Sequence, residues 1–191
     1  MIKKICVVTG GRADYGLLKN LIIELKNSKK FKLQLVVTGM HLSKKYGFTV
    51  SEIKKDNFKI DAKVNMILKS DSPVGITKSF ALGVKGFADV INFLKPDLLL
   101  VLGDRYEILS SVIASMLARV PIAHIHGGEA TFGSYDESIR HSITKMSSIH
   151  FVAANEYKKR VIQLGENPKY VHLDGGLGIE SISKIKEKSI F

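Results

Sequence analysis

Only one cysteine, Cys6, occurs in the 191 residues, so no disulfide can form within the chain. It lies inside an apolar stretch and reads as a small core side chain. No segment approaches the ~18 continuous apolar residues that a membrane-spanning helix requires. Lys3 and Lys4 precede an apolar run as they would in a secretory leader, but that run ends at Gly10-Gly11-Arg12, too early for the apolar core of one. A cytosolic location without membrane contact is therefore expected. Zinc-ligand spacings, internal repeats and low-complexity tracts are also missing. Acidic side chains are in short supply, 18 against 29 basic ones, which gives a formal charge of +11. Such a surplus suits nucleic acid or an anionic metabolite. Many lysines fall at expected helix ends and turns (Lys26, Lys29 and Lys30; Lys54 and Lys55), where they complement helix dipoles in water. With neither an arginine-rich arm nor a basic helix interleaved with aromatics, nucleic acid is not the expected partner.

What is present alternates. Short apolar strands are expected at 5–9, 31–38, 97–102, 121–125, 151–153 and 170–173, with an alternating, half-buried strand at 59–68. Between them, helical spacing predicts helices over 15–27, 42–56, 74–94, 107–119, 136–146 and 156–164, and a last one over 179–187. Asp14 is placed to cap the first helix. Asp97 to Leu102 (DLLLVL) is the most apolar strand and belongs mid-sheet, covered on both faces. This order specifies an α/β fold, a doubly wound, mostly parallel Rossmann-like sheet, as one domain over residues 1–191.

Polar motifs follow three of the strands at their carboxyl ends: GGRADYG (Gly10–Gly16), GDRYE (Gly103–Glu107) and HIHGGE (His124–Glu129). For the common strand order 3-2-1-4-5-6, ligands bind where the order reverses, between strands one and four, so the motifs should meet at one crevice. GGRADYG is neither the dinucleotide pattern GxGxxG nor a Walker loop. It still puts Gly11, Arg12, Asp14 and Gly16 at a strand-to-helix turn, where backbone N–H groups and a guanidinium favour an anion; a tight turn with a surface arginine is the alternative. Asp104 is a catalytic base or a helix cap, and Glu107 a first-turn helix residue. One of His124 and His126 should be buried and merely satisfied, with His126 nearer the crevice. Gly127 and Gly128 let Glu129 approach a ligand. Asp136 is either a cap or a site carboxylate, and Arg140 and His141 follow on the same helix. His41, His150 and His172 show no metal clustering, and neither metal nor cofactor is expected.

Taken together, TGGRADYG, GDRYE, HIHGGE, DESIRHSITKMS and GGLGI resemble the amino-terminal half of hydrolysing UDP-N-acetylglucosamine 2-epimerases of sialic- and legionaminic-acid synthesis. The resemblance implies one half of a B-type glycosyltransferase architecture, with a UDP-sugar between two Rossmann-like domains. It also implies release of UDP with inversion at C2, giving N-acetylmannosamine or its 2,4-diacetamido-6-deoxy counterpart, in an enzyme expected to be a homo-oligomer. Asp104, Glu129 and Asp136 match the family's carboxylates, and Arg105 matches a residue near UDP. Many relatives read HIEGGE, so His126 stands where they have glutamate. The chain ends at Phe191, where the family's carboxy-terminal domain would begin, so that domain is expected to lie outside it. A glycosyltransferase half or a non-catalytic UDP-sugar-binding fragment would share these features.

Overall fold

The computed structural model describes residues 2–178. The expected helix over 179–187 lies outside the described residues. Seven strands run in parallel: β1 (Lys3–Thr9), β2 (Phe31–Thr38), β3 (Ala62–Val64), β4 (Leu98–Leu102), β5 (Ile122–Ile125), β6 (Ile149–Val152) and β7 (Val171–Leu173). Their order is β3-β2-β1-β4-β5-β6-β7, so it reverses between β1 and β4. Six helices connect them: α1 (Arg12–Asn27), α2 (Val50–Lys55), α3 (Pro73–Leu94), α4 (Tyr106–Leu117), α5 (Asp136–Met146) and α6 (Asn155–Gln163).

The two-residue alternation of the strands builds two cores, one on each face of the sheet. Ile5, Val7, Leu35, Val37, Leu100 and Leu102 point to one side, where Leu18 and Ile22 of α1 and Val50 and Ile53 of α2 cover them. Cys6, Val8, Val36, Leu99 and Val101 point to the other and meet Phe87 and Ile91 of α3 and Ile108 and Val112 of α4. β4 is sandwiched on both sides, which is why it carries no polar residue. Burial also pushes the Cys6 thiol up to about 12, leaving it unreactive.

Three expected elements differ. The helix over 42–56 is instead two single 3-10 turns, Gly39–Leu42 and Lys44–Tyr46, followed by the short α2. Extended backbone at Ser43 and the break at Gly47 prevent continuous helix. The strand over 59–68 shrinks to Ala62–Val64, paired only to β2 at the sheet edge; beyond it, Met66 turns inward and is buried. Finally, α1 begins earlier than expected, capped by Gly11, and Asp14 is its third residue.

Candidate functional site

At the head of α1, Asp14 folds back over the turn that precedes it. Its carboxylate accepts from the Gly10 N–H (2.8 Å), the Gly11 N–H (2.8 Å) and the Thr9 hydroxyl (3.0 Å). Because Thr9 donates to Asp14, its oxygen accepts from His41 Nε2 at 3.0 Å, and His41 Nδ1 lies 2.7 Å from the Thr49 hydroxyl. Burial lowers the His41 pKa and so favours the neutral ring. The amides of Gly10 and Gly11, expected to cradle an anion, are already occupied by Asp14. Arg12 extends into solvent, 78% exposed, with its Nε 3.4 Å from Glu52. Gly16 sits one turn into α1 facing open space.

Gly11, Arg12 and Asp14 share a cavity of about 420 Å³ with Gly103, Asp104 and Arg105, over a floor that includes Leu102 and Ile108. This is the β1/β4 reversal point, so the first two motifs meet there. Asp104 is not a cap; Arg105 occupies that position of α4. Asp104 instead pairs with Arg140 of α5, a side chain only 8% exposed. Burial pushes the Asp104 carboxyl up; Arg140 pulls it back, and the nearby Asp136 and Glu129 raise it again. Arg105 turns onto Glu107, through two bonds of 3.2 and 3.0 Å. Glu107 itself is buried.

Arg140 also ties in the third motif by donating to the Glu129 carbonyl and the Thr131 hydroxyl oxygen, each at 3.0 Å. The two histidines of HIHGGE part ways. His124 is fully buried, its Nε2 donating to the Gly103 carbonyl (2.8 Å) and its Nδ1 3.1 Å from Thr144 Oγ1. Burial lowers it to about 3. His126 has a positive φ of 66°, a left-handed conformation uncommon outside glycine. Its Nδ1 lies 2.6 Å from Glu129 Oε1, which holds the Glu129 carboxyl below the usual range despite burial. His126 Nε2 is enclosed and has no partner among the described residues.

The glycines between them serve packing as well as any ligand. A Cβ on Gly128 would stand 2.5 Å from the Tyr157 carbonyl oxygen, and one on Gly127 3.0 Å from Thr144 Oγ1. The Gly128 carbonyl accepts from Arg160 of α6, a contact with no signature in the sequence. Asp136 is the first residue of α5 rather than its cap, near enough to Asp104 and Arg105 to influence both. Glu137, passed over in the sequence, accepts from the Thr131 N–H at 2.8 Å and lies 3.6 Å from His141 Nε2. His141 Nδ1 is enclosed without a partner among the described residues. No group of three or more His, Cys, Asp or Glu side chains among them is disposed to hold a metal ion.

Comparison with known proteins gives this constellation a context. A family profile described as UDP-N-acetylglucosamine 2-epimerase matches residues 23–190. A GDP/UDP-N,N'-diacetylbacillosamine 2-epimerase (hydrolyzing) of Campylobacter jejuni is 44% identical, across 98% of this chain and 50% of its own length. A polysialic acid biosynthesis protein of Escherichia coli is 46% identical, across 94% and 46%. A crystal structure of UDP-GlcNAc 2-epimerase from Neisseria meningitidis bound to UDP-GlcNAc superposes with a TM-score of 0.81 at 21% identity, covering 94% of this chain and 48% of that one. The chain thus spans about half the length of the curated relatives it matches. With the profile extending over most of its residues, from α1 to beyond β7, the chain belongs to the UDP-N-acetylglucosamine 2-epimerase family.

Proposed function

We propose that this chain is the amino-terminal half of a hydrolysing UDP-sugar 2-epimerase that releases UDP and inverts C2 of a 2-acetamido sugar. The observation that carries the reading is the Asp104–Arg140–Glu129–His126 assembly beside the β1/β4 cavity. In this reading a second Rossmann-like domain completes the crevice and grips the nucleotide. By the names of the relatives, the sugar is a 2,4-diacetamido-2,4,6-trideoxyhexose, with N-acetylglucosamine as the alternative. The product is a precursor of sialic- or legionaminic-type acids, made in the cytosol.

The chemistry needs two proton carriers. C2–H of the sugar is barely acidic, since no carbonyl is conjugated to that carbon. Breakage of the C1–O bond to UDP builds positive charge at C1 and makes the proton removable. A base takes it, the C–H electrons form C1=C2, and UDP departs, leaving a glycal. Water then adds at C1, its surplus proton passing to solvent, while an acid protonates C2 from the opposite face. Asp104, with proton affinity raised by burial, is suited to be the base. The His126–Glu129 pair is suited to be the second carrier, an imidazole held by an ionised carboxylate. Arg12 and Arg105 are the cations available to the departing diphosphate.

The complete enzyme, incubated in deuterated water with each UDP-sugar and followed by NMR, tests this directly. A released 2-epimer carrying deuterium at C2 is expected. Sugar released without C2 exchange, or sugar passed to an acceptor, refutes the proposal.

A further inference from the structure

Glu107 lies in the first turn of α4, and its side chain is only 1% exposed. It runs beneath the turn that closes β1. A Cβ on Gly39 would stand 3.1 Å from Glu107 Cγ, and one on Gly10 3.6 Å from Glu107 Cβ. A carboxylate so deep costs the fold heavily unless it is paired. Both of its oxygens meet one partner: Oε2 accepts from Arg105 Nε at 3.2 Å and Oε1 from Arg105 Nη2 at 3.0 Å. Residues two apart within a helix do not face each other. This pair forms because Arg105 precedes the helix with extended backbone, at ψ 150°. Apolar replacements for a buried ion pair are often neutral or stabilising, so packing alone gives no reason for a carboxylate here.

The reason lies on the other side of Arg105. Its side chain is 43% exposed and lines the β1/β4 cavity together with Arg12 and Asp104. A guanidinium carries five N–H groups in a rigid fork; Glu107 engages two, which leaves three at the far end. We infer that Glu107 is a positioning residue, holding Arg105 in one orientation so that this free end meets the diphosphate of the bound nucleotide sugar. The role rests on the epimerase reading and supplies the buried group that acts through Arg105. An unrestrained arginine gives up its rotamer freedom each time it binds an anion, whereas one held by Glu107 has given it up on folding. The same carboxylate also cancels part of the guanidinium's charge. Orientation outweighs that cancellation, so removing the carboxylate weakens the hold on the diphosphate rather than tightening it.

The test is a double-mutant cycle in the complete enzyme: Glu107→Gln, Arg105→Ala and the two together, with UDP affinity measured by calorimetry and UDP-sugar turnover followed alongside. Glu107→Gln keeps the side-chain volume and removes the charged fork. It should weaken UDP binding by about threefold to tenfold, the range set by the freedom of one long side chain, and lower kcat/KM by at least as much. In the Arg105→Ala background the same substitution should leave UDP affinity unchanged, a coupling that a residue needed only for packing would not show. Tighter UDP binding by Glu107→Gln would mean that the carboxylate only cancels charge. Equal losses in both backgrounds would mean that it only supports packing, and unaltered affinity that Arg105 is held without it. Each of these overturns the inference while leaving the epimerase reading intact. Should Glu107→Gln fail to fold, Glu107→Asp, which keeps the charge but draws the carboxylate back by one methylene, enters the same cycle. An unsubstituted enzyme that neither binds UDP nor releases it from a UDP-sugar removes both.

Discussion

Arg140 grips the carboxylate of Asp104, 36 residues earlier in the chain, and so joins the carboxyl end of β4 to the loop that follows β5. The pair is mostly withdrawn from water. Arg140→Ala would leave Asp104 facing Asp136 and Glu129 without a counter-charge, and breaking such a buried pair costs about 3–5 kcal/mol. A marked drop in the urea midpoint is expected. A variant as stable as the parent would show that the pair is solvated in solution.

Asp104→Asn keeps an oxygen for Arg140 but cannot accept a proton. UDP release should fall by about a hundredfold to ten-thousandfold. In the parent, the base must be ionised, and its pKa is raised above the ordinary 3.8. The acid limb of kcat/KM should therefore lie above that value, with activity lost as pH falls through it. Parent-like turnover by Asp104→Asn would remove this residue from the mechanism.

Arg12→Ala should leave the melting temperature almost unchanged, because its partnership with Glu52 is a solvent-exposed ion pair. Calorimetry should nevertheless record UDP affinity weakened by about tenfold, as for loss of a charge-assisted contact to phosphate. Unaltered affinity would return Arg12 to the surface.

Stability should fall on mild acidification. Burial holds His41, His124 and His150 below their ordinary 6.5, His124 at about 3. Below about pH 6.5 the unfolded chain takes up protons that the folded chain refuses, so stability is lost as pH drops from there towards the folded-state values. Each such histidine contributes a slope of about 1.4 kcal/mol per pH unit. Urea titrations at successive pH values should show this slope, and His124→Gln should flatten it. An identical slope in that variant would mean that His124 is not the neutral, buried group described.

Gly128→Ala should be severe, since a φ of +79° and a backbone oxygen 2.5 Å from the new methyl act together. A loss of more than about 2 kcal/mol is expected, read from chemical denaturation. Tolerance of the methyl would mean that α6 moves freely against the loop.

The fold was readable because β1, β2 and β4 are short, nearly continuous apolar runs, as strands buried on both faces must be, and the motifs at their ends marked the reversal point. The segment after β2 was not, since 3-10 turns leave no 3.6-residue stripe. In HIHGGE the sequence predicts one buried histidine, with His126 nearer the crevice, although strand alternation aims residues two apart alike; His124 is the buried one. His126 lies just past the end of β5 with left-handed backbone, where strand alternation no longer applies. The bonds from Arg140 to Asp104 and from Arg160 to Gly128 join elements far apart in sequence, so they belong to the tertiary structure alone.

The fold of Asp14 back over the turn before α1 has a consequence for which anions this chain attracts. With its carboxylate on the Gly10 and Gly11 N–H groups, Asp14 makes that turn less favourable for stray phosphate or sulfate. In the proposed epimerase, a leaving diphosphate arriving there would need compensation from Arg12, Arg105 or a second domain. On the proposed function, recognition of a diphosphate would wait for a second domain to supply those charges.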